Sequence, residues 1–183
     1  MARAPANALI ISAMQCLNKM KTIIVSGTPG TGKTEIAKEL AKKLKYKYIN
    51  VNKLIKENSL SDGYDNEKKC EIVDVKKLSR FLIGFIKKSK QNLIIDSHLA
   101  QYIPQKHVDL CIITKCDLKE LNKRLKKRKY IKEKTRENLD SEIFDICLNE
   151  AAEKGHTILI FDTTGKKATE VLDNETIKLL QHI

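Results

Sequence analysis

The residues from Gly27 to Thr34 read Gly-Thr-Pro-Gly-Thr-Gly-Lys-Thr and match without mismatch the phosphate-loop pattern of Gly, four residues, Gly, Lys and Ser or Thr. Backbone N–H groups must wrap a polyphosphate, and glycine lets the chain approach it closely. Lys33 can reach the β- and γ-phosphates, and the Thr34 hydroxyl can ligate Mg²⁺. The pattern therefore predicts a nucleotide site. Its candidate nucleotide-binding residues are Gly27, Gly30, Thr31, Gly32, Lys33, Thr34 and Glu35.

The flanking segments have the order that this chemistry requires. Residues 22–26 are β-branched and apolar, which predicts a strand, and residues 35–44 carry Ile36, Leu40 and Leu44 at helical spacing. A helix that opens at the loop would direct its positive dipole end at an anion. The alternative is a chance glycine-rich turn between a strand and a helix.

A second candidate acid follows another apolar run, at residues 92–96. Asp96 would lie at the carboxyl end of a buried strand beside the loop, where it could hold Mg²⁺ through a water molecule. His98 comes two residues later. The alternatives are an aspartate that caps a turn and a histidine that is packed or caps a turn.

The wider pattern alternates strands with helices and shows no hairpin signal, which predicts one α/β domain with a five-stranded parallel sheet and helices on both faces. Residues 58–71 are polar, without apolar periodicity, and are expected to form a mobile segment over the site. One long helix is expected from about 135 to 153, burying Leu139, Ile143, Ile146 and Ala151, and a closing helix from 168 to 180. The remaining strands are expected at 46–51, 108–113 and 156–162.

The formal net charge is +12 and the pI is about 9.4, which favours polyanionic partners such as nucleotides or RNA. Lysine-rich faces can also be merely solvating. The excess is densest after Asp117, which is expected to cap a helix. Part of that basic stretch is predicted to face phosphate; it comprises Lys119, Lys123, Arg124, Lys126, Lys127, Arg128, Lys129, Lys132, Lys134 and Arg136.

Five cysteines are present, an odd number without paired CxxC spacing: Cys16, Cys70, Cys111, Cys116 and Cys147. They indicate reduced, mostly buried thiols in a cytoplasmic protein and argue against structural zinc. The sequence holds no apolar run of the roughly 20 residues that a membrane helix needs. Residues 1–19 are expected to be an extension before the first strand, poorly ordered or non-native, and residues 20–183 a single P-loop domain.

Together these motifs resemble the adenylate kinase 6 family, which comprises small nucleoside monophosphate kinases that are also ribosome-assembly ATPases. The resemblance extends from about Met20 to the carboxyl end, and Asp-x-His at Asp96 is its most discriminating part. The other motifs that carry it are Gly27 to Thr34, Tyr48-Ile49-Asn50-Val51, Asp62-Gly63-Tyr64-Asp65, Arg124-Leu125 with Arg128 and Tyr130, and Glu137-Asn138 with Glu142-Ile143.

The resemblance implies a three-layer P-loop fold of the adenylate-kinase type, with a monophosphate-binding segment at 50–73 and a short lid at 127–137. It implies that Arg128 contacts ATP, and that Asp96 and His98 organise Mg²⁺ and the water that attacks ATP. The implied catalytic residues are therefore Lys33, Asp96, His98 and Arg128, with ATP and Mg²⁺ as substrate and cofactor.

The implied reaction converts ATP and AMP into two ADP, accompanied by ATP hydrolysis. The resemblance further implies a monomer that acts in late maturation of the small ribosomal subunit and its rRNA, and binds the eleventh protein of that subunit transiently. A location in the nucleus stays open if the source is eukaryotic. Two alternatives remain: a purely metabolic small-molecule kinase, and a P-loop kinase of the shikimate kinase kind.

The chain departs from the family pattern at three places. Lys129 stands where the family has glycine in the lid, and Lys115 where an arginine ends the fourth strand, which keeps the charge but loses bidentate phosphate contact. The acidic cluster around Asp74 is also thinner, which leaves the preferred monophosphate open.

Overall fold

The computed structural model describes residues 20–67 and 70–181. The expected extension at 1–19 lies outside the described residues. The strands are β1 Thr22–Ser26, β2 Lys47–Asn50, β3 Gly63–Asp65, β4 Cys70–Ile72, β5 Leu93–Asp96, β6 Leu110–Lys115 and β7 Ile158–Asp162. The α-helices are α1 Lys33–Leu44, α2 Val51–Glu57, α3 Val75–Lys88, α4 Leu118–Lys127, α5 Lys132–Ile143, α6 Ile146–Glu153, α7 Ala168–Val171 and α8 Asn174–Gln181.

The main sheet has five parallel strands in the order β2-β5-β1-β6-β7, which confirms the predicted sheet. The connections between consecutive strands of this sheet contain α-helices, except the one from β5 to β6, which contains two short 3-10 helices at Ala100–Tyr102 and Gln105–His107. Asp96, the last residue of β5, is paired in register with Val25 of β1 and with Asn50 of β2. The phosphate loop and the candidate metal carboxylate therefore emerge side by side at the carboxyl edge of the sheet.

Two apolar layers sandwich the sheet. Ile24 of β1 points into one and its neighbours Ile23 and Val25 into the other, as the two-residue period of a strand dictates. The first layer includes helix residues Leu78 and Leu82; the second is built largely on α1, through Ile36, Ala37, Leu40, Ala41 and Leu44. Because both faces are covered, every residue of β1 is buried.

The polar segment before α3 corrects one expectation: it contains a hairpin, although no hairpin was predicted. β3 and β4 pair antiparallel, with Tyr64 opposite Glu71. The hairpin is fastened to α3 by Asp62, whose carboxylate accepts a hydrogen bond from the N–H of Asp74 at 3.2 Å and pairs with Lys77 at 2.8 Å. Strands of three residues are too short to show an alternating pattern, so this hairpin could not be predicted from periodicity.

The long helix expected at 135–153 is two helices, α5 and α6, which meet at Asp145. Asp145 has a left-handed φ of 52°, and its carboxylate forms an ion pair with Lys115 at the end of β6. The break turns the residues beside it outward, so Ile143 and Ile146 are 53% and 42% exposed rather than buried. Ala151 is fully buried, as expected.

The expected closing helix is also divided, into α7 and α8. Asp173 begins the second part, since its carboxylate accepts a hydrogen bond from the N–H of Thr176 at 2.8 Å, a typical N-terminal cap. The carbonyl of Leu172, at the end of α7, accepts a hydrogen bond from the Lys43 ammonium at 2.5 Å. Side-chain caps therefore set this boundary within a stretch whose apolar periodicity runs on without interruption.

Other local expectations are confirmed. Asp117 caps α4, where it accepts two backbone N–H bonds. Cys111 lies in the core with no exposed surface, and burial raises the pKa of its thiol to about 12. Within the two described ranges, no helix combines the length and apolar character that crossing a bilayer requires.

Candidate functional site

Gly27, the first residue of the phosphate loop, lies where the structure leaves no room for a side chain. Gly27 has a φ of 132°, and a Cβ on it would lie 2.5 Å from the carbonyl oxygen of Thr114 on β6. This oxygen belongs to the backbone of a central strand, so it cannot move aside as the end of a flexible side chain could. The first glycine of the motif is therefore fixed by packing of the loop against β6.

Replacing Gly27 with alanine is expected to destabilise the fold by about 3 kcal/mol, since overpacking against backbone adds to the cost of a positive φ. Urea unfolding measures this change. Gly84→Ala in α3 is the control, because a Cβ there meets nothing within 4 Å and alanine favours a helix by up to ~1 kcal/mol. Equal stability of the two variants would contradict the account of Gly27.

Threonines hold the rest of the loop in shape. The Thr31 side chain is fully buried, donates to the carbonyl of Thr28 at 2.8 Å, and shares a 2.7 Å hydrogen bond with the Thr114 hydroxyl. Thr163, just after β7, donates to the carbonyl of Thr31 at 2.7 Å. The loop is thus preorganised before any ligand arrives, and Thr31 stabilises it from within.

The remaining predicted loop residues lie around the opening of α1. Gly30 and Gly32 have left-handed φ values of 101° and 89°, and Gly32 is the N-cap of the helix. Thr34 and Glu35, in the first turn, are exposed. The first-turn N–H groups of α1 therefore face the loop opening, as anion binding at a helix start requires.

Lys33 bends back over the loop. Its ammonium donates to the carbonyl of Thr28 at 2.9 Å. Burial lowers the pKa of Lys33 to about 8; the charge of Asp96 opposes this effect and the charge of Arg128 adds to it. The ammonium is still mainly protonated near neutral pH. It lies over the loop, where its positive charge can pair with a bound phosphate.

Asp96 and Thr34 meet at the mouth of the loop. The Thr34 hydroxyl donates to Oδ2 of Asp96 at 2.7 Å, and Asp96 is only 5% exposed. Mg²⁺ prefers hard oxygen ligands, so a hydroxyl and a carboxylate this close suit it. The donor set therefore fits the predicted Mg²⁺ site, with Thr34 as a ligand and Asp96 holding the metal through water.

His98 follows Asp96 on the loop after β5, and its side chain reaches solvent. The surrounding protein and the positive charges of Lys33 and Lys134 lower the pKa of His98 below its ordinary value. The imidazole is therefore neutral at pH 7, the form in which it can accept a proton from water. Because the charge of Lys33 acts on His98, the imidazole lies on the same side of the sheet edge as the phosphate loop.

The arginines have different surroundings. Arg128 is exposed at the end of α4, and its charge reaches Lys33. Arg124 instead pairs with Glu120 at 3.0 Å and donates to the hydroxyl and carbonyl oxygens of Thr163 at 3.1 and 2.9 Å. Arg136 pairs with Asp140. Arg124 therefore supports the loop, and of these three arginines Arg128 is the one whose charge acts on Lys33.

Lys129 stands where the resemblance implies glycine, and the way in which α4 ends gives a physical reason for glycine there. The N–H of Lys129 donates to the carbonyl of Lys126 at 2.9 Å and that of Tyr130 to Leu125 at 3.4 Å, which is the Schellman pattern that ends a helix. The residue at this step adopts a left-handed conformation, and Lys129 has a φ of 57°. A lysine is thus held in a conformation that glycine adopts freely.

We expect Lys129→Gly to stabilise the protein by about 1 kcal/mol, because the left-handed strain on a Cβ is removed. Lys123→Gly, at an exposed position in the middle of α4, should instead destabilise it by about 1 kcal/mol, as glycine does inside a helix. Urea unfolding of the two variants tests the opposite signs. Destabilisation by both would show that Lys129 is not strained.

Lys115, another of the departures, ends β6, and its ammonium is bound by acidic side chains of the protein itself. Its ammonium pairs with Asp145 and lies 4.0 Å from Glu142. Glu142 is buried and also accepts the N–H of Cys116 at 2.9 Å. Lys115 therefore holds the α5–α6 junction to the sheet in this structure.

Three residues at the site were not singled out by function from the sequence: Tyr48, Asn50 and Thr163. Tyr48 donates to Oδ2 of Asp96 at 2.8 Å, and Asn50 donates to the Tyr48 hydroxyl at 3.2 Å. Both lie on one face of β2, at the strand end that faces the loop. Their two-residue spacing at the end of a predicted strand was the available signal, as was the place of Thr163 just after the last strand.

Comparison with known proteins shows the family to which the chain belongs. A family model described as an AAA domain matches residues 23–145. The Saccharomyces cerevisiae protein named adenylate kinase isoenzyme 6 homolog FAP7 is 35% identical over 83% of this chain and 77% of its own length. The Dictyostelium discoideum protein named adenylate kinase isoenzyme 6 homolog is 37% identical over 70% of this chain and 73% of its own.

A solved structure gives the fold alone. Shikimate kinase from Acinetobacter baumannii superposes with a TM-score of 0.60 at 11% identity, covering 92% of this chain and 97% of that one. The five-stranded parallel sheet, the preformed phosphate loop and the sequence relatives agree on one assignment. The chain belongs to the adenylate kinase isoenzyme 6 family and has the P-loop kinase fold.

Proposed function

We propose that this protein transfers the γ-phosphoryl group of ATP to a nucleoside monophosphate, AMP first, and that it also hydrolyses ATP. The observation that carries the proposal is the 2.7 Å hydrogen bond between Thr34 and Asp96 beside the Lys33 ammonium. It gathers a metal-binding pair and a phosphate-binding cation at one opening. The names of the yeast and Dictyostelium relatives support adenylate kinase chemistry.

In the proposed reaction an oxygen of the AMP α-phosphate attacks the γ-phosphorus in line. The bond from that phosphorus to the β–γ bridging oxygen breaks, and two ADP molecules result. No covalent enzyme intermediate is needed, so the protein contributes positioning and charge. Lys33 offsets charge on the β- and γ-phosphates, and Arg128 offsets charge on the transferring group.

Mg²⁺, held by Thr34 and through water by Asp96, would neutralise phosphate charge when bound. The loop N–H groups and Lys33 bind and orient the triphosphate. Exclusion of water decides between transfer and hydrolysis, and the segment at 127–137, which includes Arg128, is the proposed lid.

The acceptor would bind against the segment at 50–73. The β3–β4 hairpin there presents Tyr64 and Ile72, which are 52% and 53% exposed, an apolar surface suited to a base. The contacts of Asp62 with Asp74 and Lys77 attach the hairpin to the start of α3 and so hold this apolar surface in place. Comparison of AMP with other monophosphates in the assay identifies the preferred acceptor.

Assay of ADP formation with and without AMP tests the proposal. A kinase forms two ADP for each AMP consumed, and a series of other monophosphates reports the preference. Release of phosphate from ATP alone measures the hydrolysis. A rate that is unaffected by every monophosphate would refute the kinase and leave an ATPase.

His98→Ala is expected to lower ATP hydrolysis by roughly 10²-fold or more, as loss of a general base does, while ATP affinity changes little. The imidazole is neutral and beside Lys33, so it can take a proton from the attacking water. Lys106→Ala, exposed on the same β5–β6 connection, is the control. Equal loss of hydrolysis and of calorimetric ATP binding would refute the role.

A second proposal is that the ATP cycle serves assembly of the small ribosomal subunit, with its eleventh protein as a transient partner and pre-ribosomal RNA nearby. The observation that favours it is an exposed basic face, formed by Lys119, Lys123, Lys126, Lys127, Arg128, Lys129 and Lys132. Pull-down with small-subunit proteins, with and without ATP, tests it. Absence of ATP-dependent capture would leave a purely metabolic kinase. The cytoplasmic location and the monomeric state stay predictions.

A further inference from the structure

The Asp96 carboxylate is oriented from the side of β2 as well as from the loop. The Tyr48 hydroxyl donates to Oδ2 of Asp96 at 2.8 Å, and the Thr34 hydroxyl donates to the same oxygen at 2.7 Å. Among hydrogen bonds of the described residues, none reaches Oδ1. Oδ1 is therefore the oxygen left to face a metal-bound water.

The proton of Tyr48 is directed to Asp96 by its own neighbour. The Asn50 amide donates to the Tyr48 hydroxyl oxygen at 3.2 Å, which leaves the single phenolic proton for the carboxylate. Bonds from a hydroxyl to a carboxylate are among the stronger ones in proteins.

Asn50 is itself fixed. Its carbonyl oxygen accepts the N–H of Lys53 at 3.0 Å and so caps α2, the helix that opens the proposed acceptor segment. Asn50 and Tyr48 share one face of β2, and Asn50 is paired in register with Asp96. A continuous chain of hydrogen bonds therefore runs from the start of α2 to the metal carboxylate.

We propose that Tyr48, oriented by Asn50, is a positioning residue that holds the Asp96 carboxylate in the direction required for Mg²⁺–nucleotide binding and phosphoryl transfer. This inference rests on the proposed function. Tyr48 touches neither phosphate nor metal and acts through Asp96. Loss of such a partner behind a metal-binding group typically costs roughly 10- to 100-fold in metal affinity or activity.

Tyr48→Phe removes the hydroxyl and keeps the ring, and Tyr46→Phe, at the opposite end of the strand region, is the matched control. Calorimetric titration with ATP, with and without Mg²⁺, gives a readout that does not depend on turnover. For Tyr48→Phe we expect unchanged affinity for metal-free ATP, and loss of about 10-fold or more of the affinity that Mg²⁺ adds in the unaltered protein. The kcat with ATP and AMP should fall by a similar factor while KM for AMP changes little. Tyr46→Phe should match the unaltered protein in all these measurements.

Two results would overturn the inference. One is a Tyr48→Phe protein with the same Mg²⁺ gain and kcat as the unaltered protein. The other is equal weakening of ATP binding with and without Mg²⁺ together with a lowered melting temperature, which would indicate a packing role. An unaltered protein that does not phosphorylate AMP would refute the proposed function instead, while the comparison of ATP binding would still decide the role of Tyr48.

Discussion

Replacing Lys33 with methionine is expected to lower phosphoryl transfer by roughly 10²- to 10³-fold, the usual cost of losing one preorganised charge at a reacting group. The ammonium already lies over the loop, on the carbonyl of Thr28, so little reorganisation precedes its contact with phosphate. Methionine keeps much of the side-chain length and apolar volume. The change therefore removes charge with little loss of packing, and steady-state kinetics with ATP and AMP measures its effect.

Lys42→Met provides the matched control. Lys42 lies on the same helix, α1, but it is exposed and lies in the last turn, away from the loop. Its loss should leave kcat unchanged. A Lys33→Met enzyme that retained more than half of the original rate would mean that the loop binds no reacting phosphate.

The second large effect is expected for Asp96→Asn, which should lower both transfer and hydrolysis by about 10²-fold or more, since the charge that holds the metal is lost. Asparagine has nearly the same shape, and its carbonyl oxygen can still accept from Thr34 and Tyr48. The fold should therefore survive. Metal-free ATP should bind no more weakly than before, because a negative charge beside the phosphates has gone.

Asp117→Asn is the control for this substitution. Asp117 caps α4 at the surface, and asparagine is an equally good cap, so neither stability nor rate should change. Kinetics across a range of Mg²⁺ concentrations separates the two variants. An Asp96→Asn enzyme with an unaltered Mg²⁺ requirement would show that the metal is held elsewhere.

The sequence predicted those parts of the structure that depend on short, local motifs. The phosphate loop follows from glycines and a lysine at fixed spacing, and the place of Asp96 follows from an apolar run that ends on an acid. The helix start at Asp117 follows from capping chemistry. The parallel sheet follows from alternating strands and helices, because parallel neighbours need a crossover between them.

The parts that it did not predict depend on partners distant in the chain. The break at Asp145 accompanies an ion pair with Lys115, thirty residues away. Tyr48 acquires its role from Asp96, which lies 48 residues further on and comes close only because β2 and β5 are neighbours. Arg124, a candidate for phosphate on charge alone, instead donates hydrogen bonds to Thr163, which lies 39 residues further on. Charge and periodicity in one segment cannot specify such contacts.

The most direct test is a crystal structure of the protein with Mg²⁺ and a non-hydrolysable ATP analogue. The account predicts the β- and γ-phosphates within hydrogen-bond distance of the Lys33 ammonium and the loop N–H groups, with the metal beside the Thr34 hydroxyl and a metal-bound water on Asp96. A nucleotide bound elsewhere, or an Asp96 carboxylate remote from the metal, would contradict it.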